Sequence, residues 1–281
     1  MISNLKIQLW LKELALFGAT QLLGIIVAQR YLFELANSPL STPAVSFRLT
    51  PLDIIVSALL LGFFIWAVIK RTRMTQIVFK LFFFIVIIGG TQVIFSAFFS
   101  PILSLILTIL LVVLMIVVRS VMLQNVAVML AIAGIGLVIG LSITPLVAVW
   151  ALLILSFYDI FAVYVSKHMV KMAEGMVASR AIFGFIIPME FSGFREKIER
   201  VKPGDHFMIL GSGDIVLPLV LSIAALKISL AHALVVTLFS LGGLFVTHLL
   251  FVTQKQRRPM AALPPIAMMS IVGYLVSVAI F

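Results

Sequence analysis

Long apolar runs follow one another along most of the chain, separated by short polar or proline-bearing breaks. A helix that crosses the hydrocarbon core of a bilayer needs about 20 apolar residues. Nine runs of that size are present, with approximate limits 13–33, 52–69, 79–99, 101–119, 121–142, 145–165, 207–227, 229–250 and 262–281. The sequence therefore predicts an all-α polytopic membrane protein with nine transmembrane helices. We expect residues 1–281 to form a single membrane domain.

The composition excludes an ordinary soluble domain. Hydrophobic residues make up 63% of the chain and charged residues 11%, whereas soluble domains carry about 25% charged residues. The net charge of +10 fits basic loops between membrane spans, so we expect membrane lipids and no nucleic acid as partners. The chain has no cysteine, and its four histidines lack a metal-binding spacing. We therefore expect no metal and no cofactor.

The basic residues predict the orientation of the spans, because loops retained in the cytoplasm are enriched in Lys and Arg. With nine spans, all of the Lys and Arg residues except Arg30, Arg48 and Lys227 fall on one side. The N-terminus is then cytoplasmic and the C-terminus extracytoplasmic. Segments one to six occupy 1–165, a cytoplasmic loop covers 166–206, and segments seven to nine occupy 207–281. Within the loop, the AIFGFIIP run predicts a short interfacial helix or a plug, and the EKIERVKPGD run is typical of solvated chain.

Two isolated aspartates lie well inside apolar segments, Asp159 in segment six and Asp214 in segment seven. A charged side chain at the centre of a bilayer costs at least about 2.5–3.5 kcal/mol on insertion scales, so such residues are candidate functional sites. Both aspartates lie roughly 10 Å inside the same membrane boundary at 1.5 Å per residue. Because consecutive spans are antiparallel, we expect the two side chains to be neighbours.

Two carboxylates in one low-dielectric site cannot both ionise easily, so one keeps a proton while the other is charged. Such a pair supplies a general acid and a general base, which suits peptide hydrolysis by an activated water. Gly211 and Gly213 allow another backbone to approach Asp214 closely. Tyr158 either orients the carboxylate or substrate, or only packs.

Segment nine begins with Ala262, Leu263 and Pro264, followed by a second proline, Pro265. Successive prolines remove backbone donors, so this stretch is a candidate unwound region that pairs with an extended substrate. Several isolated polar residues in the spans are predicted to form interhelical or interfacial hydrogen bonds instead: Gln21, Gln92, Asn125, His232 and His248.

The ordered residues Tyr158-Asp159, Gly211-Ser212-Gly213-Asp214 and Ala262-Leu263-Pro264 resemble the YD, GxGD and PALP motifs of the presenilin and signal peptide peptidase family. The resemblance covers all nine segments, and the cytoplasmic N-terminus is similar to presenilin, as in a microbial, archaeal homologue. It implies intramembrane aspartyl proteolysis of transmembrane helices, with Asp159 and Asp214 catalytic and the ALP stretch near the substrate. The chain departs from the family pattern at Ala261, which stands where the first proline of PALP is expected.

Presenilin works with partner subunits, and the sequence leaves open whether this chain needs auxiliary subunits, forms an oligomer or cleaves its own 166–206 loop. Two other interpretations of the aspartates also stay open. A proton- or cation-coupled transporter places carboxylates at similar depth, although it often has repeated halves that this chain lacks. Alternatively, a buried polar pair fixes the register of two helices.

Overall fold

A computed structural model describes residues 2–37, 72–166, 175–201, 206–254 and 259–281. The predicted second segment, 52–69, lies outside the described residues. Eight α-helices have both of their ends within the described residues: α1 Ile2–Asn37, α2 Thr72–Ser96, α3 Pro101–Val118, α4 Val121–Ser142, α5 Pro145–Ile160, α6 Ser212–Leu226, α7 Leu230–Thr253 and α8 Leu263–Ile280. Seven described helices, all but α6, are long and apolar enough to cross a membrane.

Proline and small hydroxyl residues mark where several of these helices begin. Pro101 and Pro145 occupy the first turn of α3 and α5, where a missing N–H leaves no helical hydrogen bond unmade. Ser120 and Thr144 cap α4 and α5 by accepting hydrogen bonds from the backbone N–H groups of Leu123 and Val147. These local signals are the reason that the predicted starts of segments four to six coincide with the helices. The ends of segments four and five agree to within a residue, and segment six reaches its predicted end at 165 only with the π-helical turn Phe161–Val165 that follows α5.

Segment seven differs from the prediction of one continuous helix over 207–227. Its first five residues form strand β2, Phe207–Gly211, and only Ser212–Leu226 is helical. Strand β1, Gly184–Pro188, pairs with β2 in antiparallel register, with Gly184 opposite Gly211 and Pro188 opposite Phe207. The interfacial helix considered for AIFGFIIP is therefore wrong, because phenylalanine and β-branched isoleucines favour an extended chain once a partner strand is available.

Helix α4 lies at the centre of the packing, with α1, α2, α3 and α6 against it. Its glycines permit close approach: a Cβ added at Gly134 would lie 2.0 Å from the carbonyl oxygen of Gly90 in α2. On another face, Cβ atoms at Gly136 and Gly140 would lie 2.7 Å from side-chain atoms of α6. Such small-residue contacts provide the close packing that holds helices together within a bilayer.

Helix α5 packs on α6 and α8 rather than on α4, despite the tight joint at Thr144 and Pro145. A joint this short predicts an antiparallel helical hairpin, and that prediction is wrong as far as packing is concerned, because α5 turns away from α4. A separate apolar cluster joins these helices: Ala148 and Leu152 of α5, Val220, Leu221 and Ala224 of α6, and Leu263, Ala267 and Ile271 of α8. This cluster packs α5, α6 and α8 along one another, and its member Leu263 lies at the end of α8 nearest Asp159.

Candidate active site

Asp159 lies one residue before the end of α5, and its side chain is 5% exposed. The backbone N–H of Leu263 donates a hydrogen bond of 3.3 Å to Oδ2 of Asp159. After Ile160 the chain continues as a π-helical turn, Phe161–Val165, a feature that often accompanies functional sites. The hydrogen bond joins the predicted sixth and ninth spans through a carboxylate and a main-chain donor.

Asp214 lies in the first turn of α6, whereas the predicted helix over 207–227 would place it about two turns after the helix start. The strand before it displaces the helix start to Ser212, so the carboxylate lies at the N-terminal end of α6. Backbone N–H groups at a helix N-terminus lack partners and carry partial positive charge, which favours a nearby carboxylate. Asp214 is half-buried and lies within electrostatic range of Asp159. The expected proximity of the two aspartates is therefore present.

Gly211 and Gly213 have different surroundings beside Asp214. A Cβ added at Gly211 would lie 3.0 Å from Oδ2 of Asp214, tighter than ordinary van der Waals contact. A Cβ added at Gly213 would meet no described atom within 4 Å, and Gly213 is exposed. Gly211 therefore makes room for the carboxylate itself, whereas Gly213 leaves open space next to it.

The ALP stretch reaches the site through its backbone. The chain is not helical at Ala262, and α8 begins at Leu263 with Pro264 in its first turn. The prolines therefore start a helix, where their missing donors cost little, rather than weakening one from within. The hydroxyl of Thr247 in α7 donates to the carbonyl oxygen of Gly243 at 3.0 Å and shares this donor with the carbonyl oxygen of Ala262 at 3.3 Å, so α7 contacts the residue before the Leu263 donor.

Tyr158 is 52% exposed and forms no hydrogen bond to a described residue. Its side chain points to the outer surface of α5, while the neighbouring Asp159 is buried, as expected for adjacent residues about 100° apart on a helix. The geometry brings together Asp159, Asp214, Gly211 and Leu263, and leaves Tyr158 beside them.

Residues from distant helices support the sheet that precedes Asp214. In α4, buried Asn125 donates to the carbonyl oxygen of Ile186 at 2.7 Å and accepts from the N–H of Ile186 at 2.8 Å. The ammonium of Lys12 in α1 donates to the carbonyl oxygens of Pro188 and Met189 at 2.9 and 2.8 Å. The isolated place of Asn125 in an apolar run predicts an interhelical or interfacial hydrogen bond, and in the structure its partner is a strand. Lys12 gave no such signal.

A side chain of α1 also forms a hydrogen bond to the backbone directly after Asp214. Pro218, inside α6, has no N–H to bond the carbonyl of the residue four positions earlier, which is Asp214. The buried side chain of Gln21 donates to the next carbonyl, that of Ile215, at 3.0 Å. Gln21 therefore forms the interhelical hydrogen bond that was predicted, and it does so one residue from the candidate catalytic carboxylate.

Comparisons with known proteins place the chain in a family and show a similar fold. The family model described as "Signal-peptide peptidase, presenilin aspartyl protease" matches residues 14–281. No curated protein matches the sequence. Two solved structures of a presenilin family intramembrane aspartate protease are similar in fold. The one in space group C222 has a TM-score of 0.59 and 21% identity, over 95% of this chain and 96% of that chain. The one in space group P2 has a TM-score of 0.59 and 22% identity, over 96% and 97%.

Apolar helices of membrane-spanning length around a pair of neighbouring carboxylates define an integral membrane protein of the intramembrane aspartyl protease class. With a family model matching nearly its whole length, the chain belongs to the signal peptide peptidase and presenilin family of aspartyl proteases. The resemblance inferred from the three motifs is thereby confirmed.

Proposed function

We propose that Asp159 and Asp214 are the catalytic pair of an endopeptidase that hydrolyses peptide bonds within transmembrane helices. The observation that carries this proposal is the buried Asp159 carboxylate, held by the N–H of Leu263 within electrostatic range of Asp214. Two neighbouring carboxylates in apolar surroundings do not both ionise easily, which equips one as a base and the other as an acid.

In the proposed reaction, the ionised carboxylate removes a proton from a water molecule held between the two side chains. The water oxygen attacks the carbonyl carbon of the peptide, while the protonated carboxyl gives its proton to the carbonyl oxygen. The resulting tetrahedral intermediate then breaks its C–N bond. The leaving nitrogen takes up the proton that came from water, and the carbonyl oxygen returns its proton to a carboxylate. No covalent bond to the protein forms.

The substrate approaches, in this proposal, from the side of Gly213. Gly213 is exposed with open space at its Cβ position, and Asp214 is half-buried while Asp159 is buried. A transmembrane substrate must unwind locally, because its peptide bonds are otherwise held inside a helix. Among the described residues the sheet has two strands, so the edge of β2 that faces away from β1 pairs with no strand. An unwound substrate can add to this edge and gain backbone hydrogen bonds close to Asp214.

Cleavage of a single-span reporter peptide by the purified protein tests the proposal. Wild type is compared with Asp159→Asn and Asp214→Asn, which keep the size of each side chain and remove its acid–base function. Glu13→Gln is the matched control, because Glu13 is also a buried intramembrane carboxylate, bonded to His248 and not to either aspartate. We expect both aspartate variants to lose cleavage while they remain folded, and the control to keep it. Cleavage that persists in both aspartate variants would refute the assignment.

The distribution of basic residues further supports a cytoplasmic N-terminus. The chain has no cysteine, so a single introduced cysteine reports orientation without background. Arg195→Cys, near the sheet, and Glu34→Cys, near the far end of α1, are both exposed. We expect an impermeant thiol reagent outside sealed cells to label the cysteine at 34 and not the cysteine at 195. The reverse labelling would invert the proposed topology.

A further inference from the structure

A cavity of about 270 Å³ lies at the end of the bundle that carries the sheet, between α2, α3 and the segment that precedes and follows β1. Three cations line it, Lys80 of α2, Arg119 after α3 and Arg180 before β1, together with one carboxylate, Glu199. Its apolar wall includes Phe84 of α2 and Ile116 of α3. The cavity is separate from Asp159 and Asp214, and the proposed reaction does not use it.

The two arginines have an unusual backbone. Arg119 and Arg180 have φ angles of 53° and 58°, and they are the two non-glycine residues with positive φ in the described part of the chain. Arg119 is the left-handed C-cap of α3, and its N–H donates to the carbonyl of Met115, a position where glycine is normally favoured. Backbone conformations that side chains adopt rarely tend to occur at functional sites. Both such residues here line the same cavity.

Hydrogen bonds aim both guanidinium groups at one point. Arg119 and Arg180 each donate to Oε1 of Glu199, at 3.0 and 3.2 Å, and Arg119 also donates to the carbonyl of Ile116 at 3.0 Å. The hydrogen bond from Arg119, with the nearby charge of Arg180, lowers the pKa of the Glu199 carboxyl. Glu199 is therefore ionised at neutral pH and neutralises one of the three cations. Three cations against one carboxylate leave a net charge of +2 on the cavity.

The depth of the cavity matches the headgroup region of a bilayer. Arg119 directly follows α3, which is one of the helices long enough to span the membrane. Ile116, one turn earlier, is 49% exposed on the lipid-facing side of α3. A cationic cavity at the interface with an apolar surface beside it is complementary to a phosphate headgroup with its acyl chain.

We propose that this cavity binds the headgroup of an anionic phospholipid, with its phosphate held by Arg119, Arg180 and Lys80 and an acyl chain against α2 and α3. The bound lipid also bridges α3 to the segment that carries β1, because Arg119 follows α3 and Arg180 precedes β1. The same two parts of the chain are already joined by the hydrogen bond of 2.9 Å from the N–H of Ile198 to the carbonyl of Arg119. The proposal does not depend on the protease function, since its test measures binding.

The test compares the binding of phosphatidylglycerol and phosphatidylcholine to the purified protein in detergent by native mass spectrometry. The variant is Arg119→Gly with Arg180→Gly, because glycine adopts positive φ freely and removes each cation without strain. The matched control is Arg195→Gln with Arg200→Gln, which removes two exposed cations of the same segment that do not line the cavity. Each cation near an anionic lipid contributes about fivefold in binding. We therefore expect the glycine pair to weaken phosphatidylglycerol binding by roughly 25-fold and the control to change it little.

Lys80→Gln, on α2, provides an independent variant if the glycine pair fails to fold, and we expect it to weaken phosphatidylglycerol binding by about fivefold. Inorganic phosphate is added as a competitor to separate a lipid from a soluble anion. Displacement of the lipid by millimolar phosphate alone would overturn the assignment to a lipid. If wild type bound the two lipids equally, or if the cavity variants bound phosphatidylglycerol as well as wild type, the proposed lipid site would be refuted.

Discussion

Asn125→Ala tests whether α4 holds strand β1, and through it β2 and Asp214, in place. The hydrogen bonds from the N–H of Met189 to the carbonyl of His206 and from the N–H of Ser212 to the carbonyl of Phe183 show which residue pairs of the sheet are hydrogen-bonded. Because hydrogen-bonded and non-hydrogen-bonded pairs alternate in an antiparallel sheet, the N–H and carbonyl of Ile186 point away from β2. The side chain of Asn125 takes the place of a third strand there, bonding both the N–H and the carbonyl of Ile186. The alanine variant removes both partners at once.

The magnitude follows from burial. Asn125 is 2% exposed and Ile186 is fully buried. Each backbone group that loses its partner in such a place costs about 1–3 kcal/mol. Allowing for water that enters the space left by the side chain, we expect a loss of roughly 2–4 kcal/mol in the local stability of β1. The neighbouring Gln124 makes one hydrogen bond, to the carbonyl of Ile182 at 3.2 Å, so Gln124→Ala is the matched control at about 1 kcal/mol.

Hydrogen exchange of the peptide that covers 183–188, followed by mass spectrometry, measures this local stability directly. Since about 1.4 kcal/mol corresponds to a factor of ten, Asn125→Ala should speed exchange by roughly 30-fold or more, and Gln124→Ala by about fivefold. Cleavage of the reporter should fall in the same order. Equal protection of β1 in the two variants would refute the idea that Asn125 acts as a third strand. Lost cleavage with normal protection of β1 would show that the sheet does not position Asp214.

Gly211→Ala should lower kcat at least tenfold without unfolding the protein, because the added Cβ would lie 3.0 Å from Oδ2 of Asp214 and displace it. Gly213→Ala, which meets no described atom within 4 Å, should instead raise KM if substrate fills that space, and reporter kinetics distinguish the two outcomes. Glu13→Ala should destabilise the protein by about 1–3 kcal/mol, because it removes the hydrogen-bond partner of the buried His248, whose Nδ1 lies 3.0 Å from a carboxylate oxygen of Glu13. Removing both partners should cost less than the sum of the single changes, a comparison made by thermal unfolding in detergent.

The membrane helices were predictable because their signals are local. Apolar runs of spanning length, prolines in first turns and caps such as Thr144 lie within the segment that they define. The pair of aspartates was equally visible, since an acid in an apolar run is costly wherever the run packs. Antiparallel neighbours at matched depth then sufficed to bring Asp159 and Asp214 together.

The sheet was not predictable in the same way, because it depends on partners that are distant in sequence. The FMIL run before Gly211 is apolar enough to continue a helix, and only pairing with β1 makes it a strand. The groups that satisfy the outer edge of β1, Asn125 and Lys12, come from α4 and α1. Apolar length alone cannot distinguish a buried strand from the first turns of a helix. The predicted helix of segment seven therefore includes the five residues that form β2.

Because α6 begins at Ser212 rather than at 207, both carboxylates lie at the N-terminal ends of helices. Asp214 lies in the first turn of α6, and Asp159 accepts a hydrogen bond from Leu263, the first residue of α8. Pro264 and Pro265, which follow Leu263, have no N–H, so Leu263 is the residue of that turn through which the backbone can donate. The N-terminal ends of two helices, each with partial positive charge, thus converge on the carboxylate pair. Because the donor is a main-chain N–H, the replacement of the family's first proline by Ala261 leaves this contact intact.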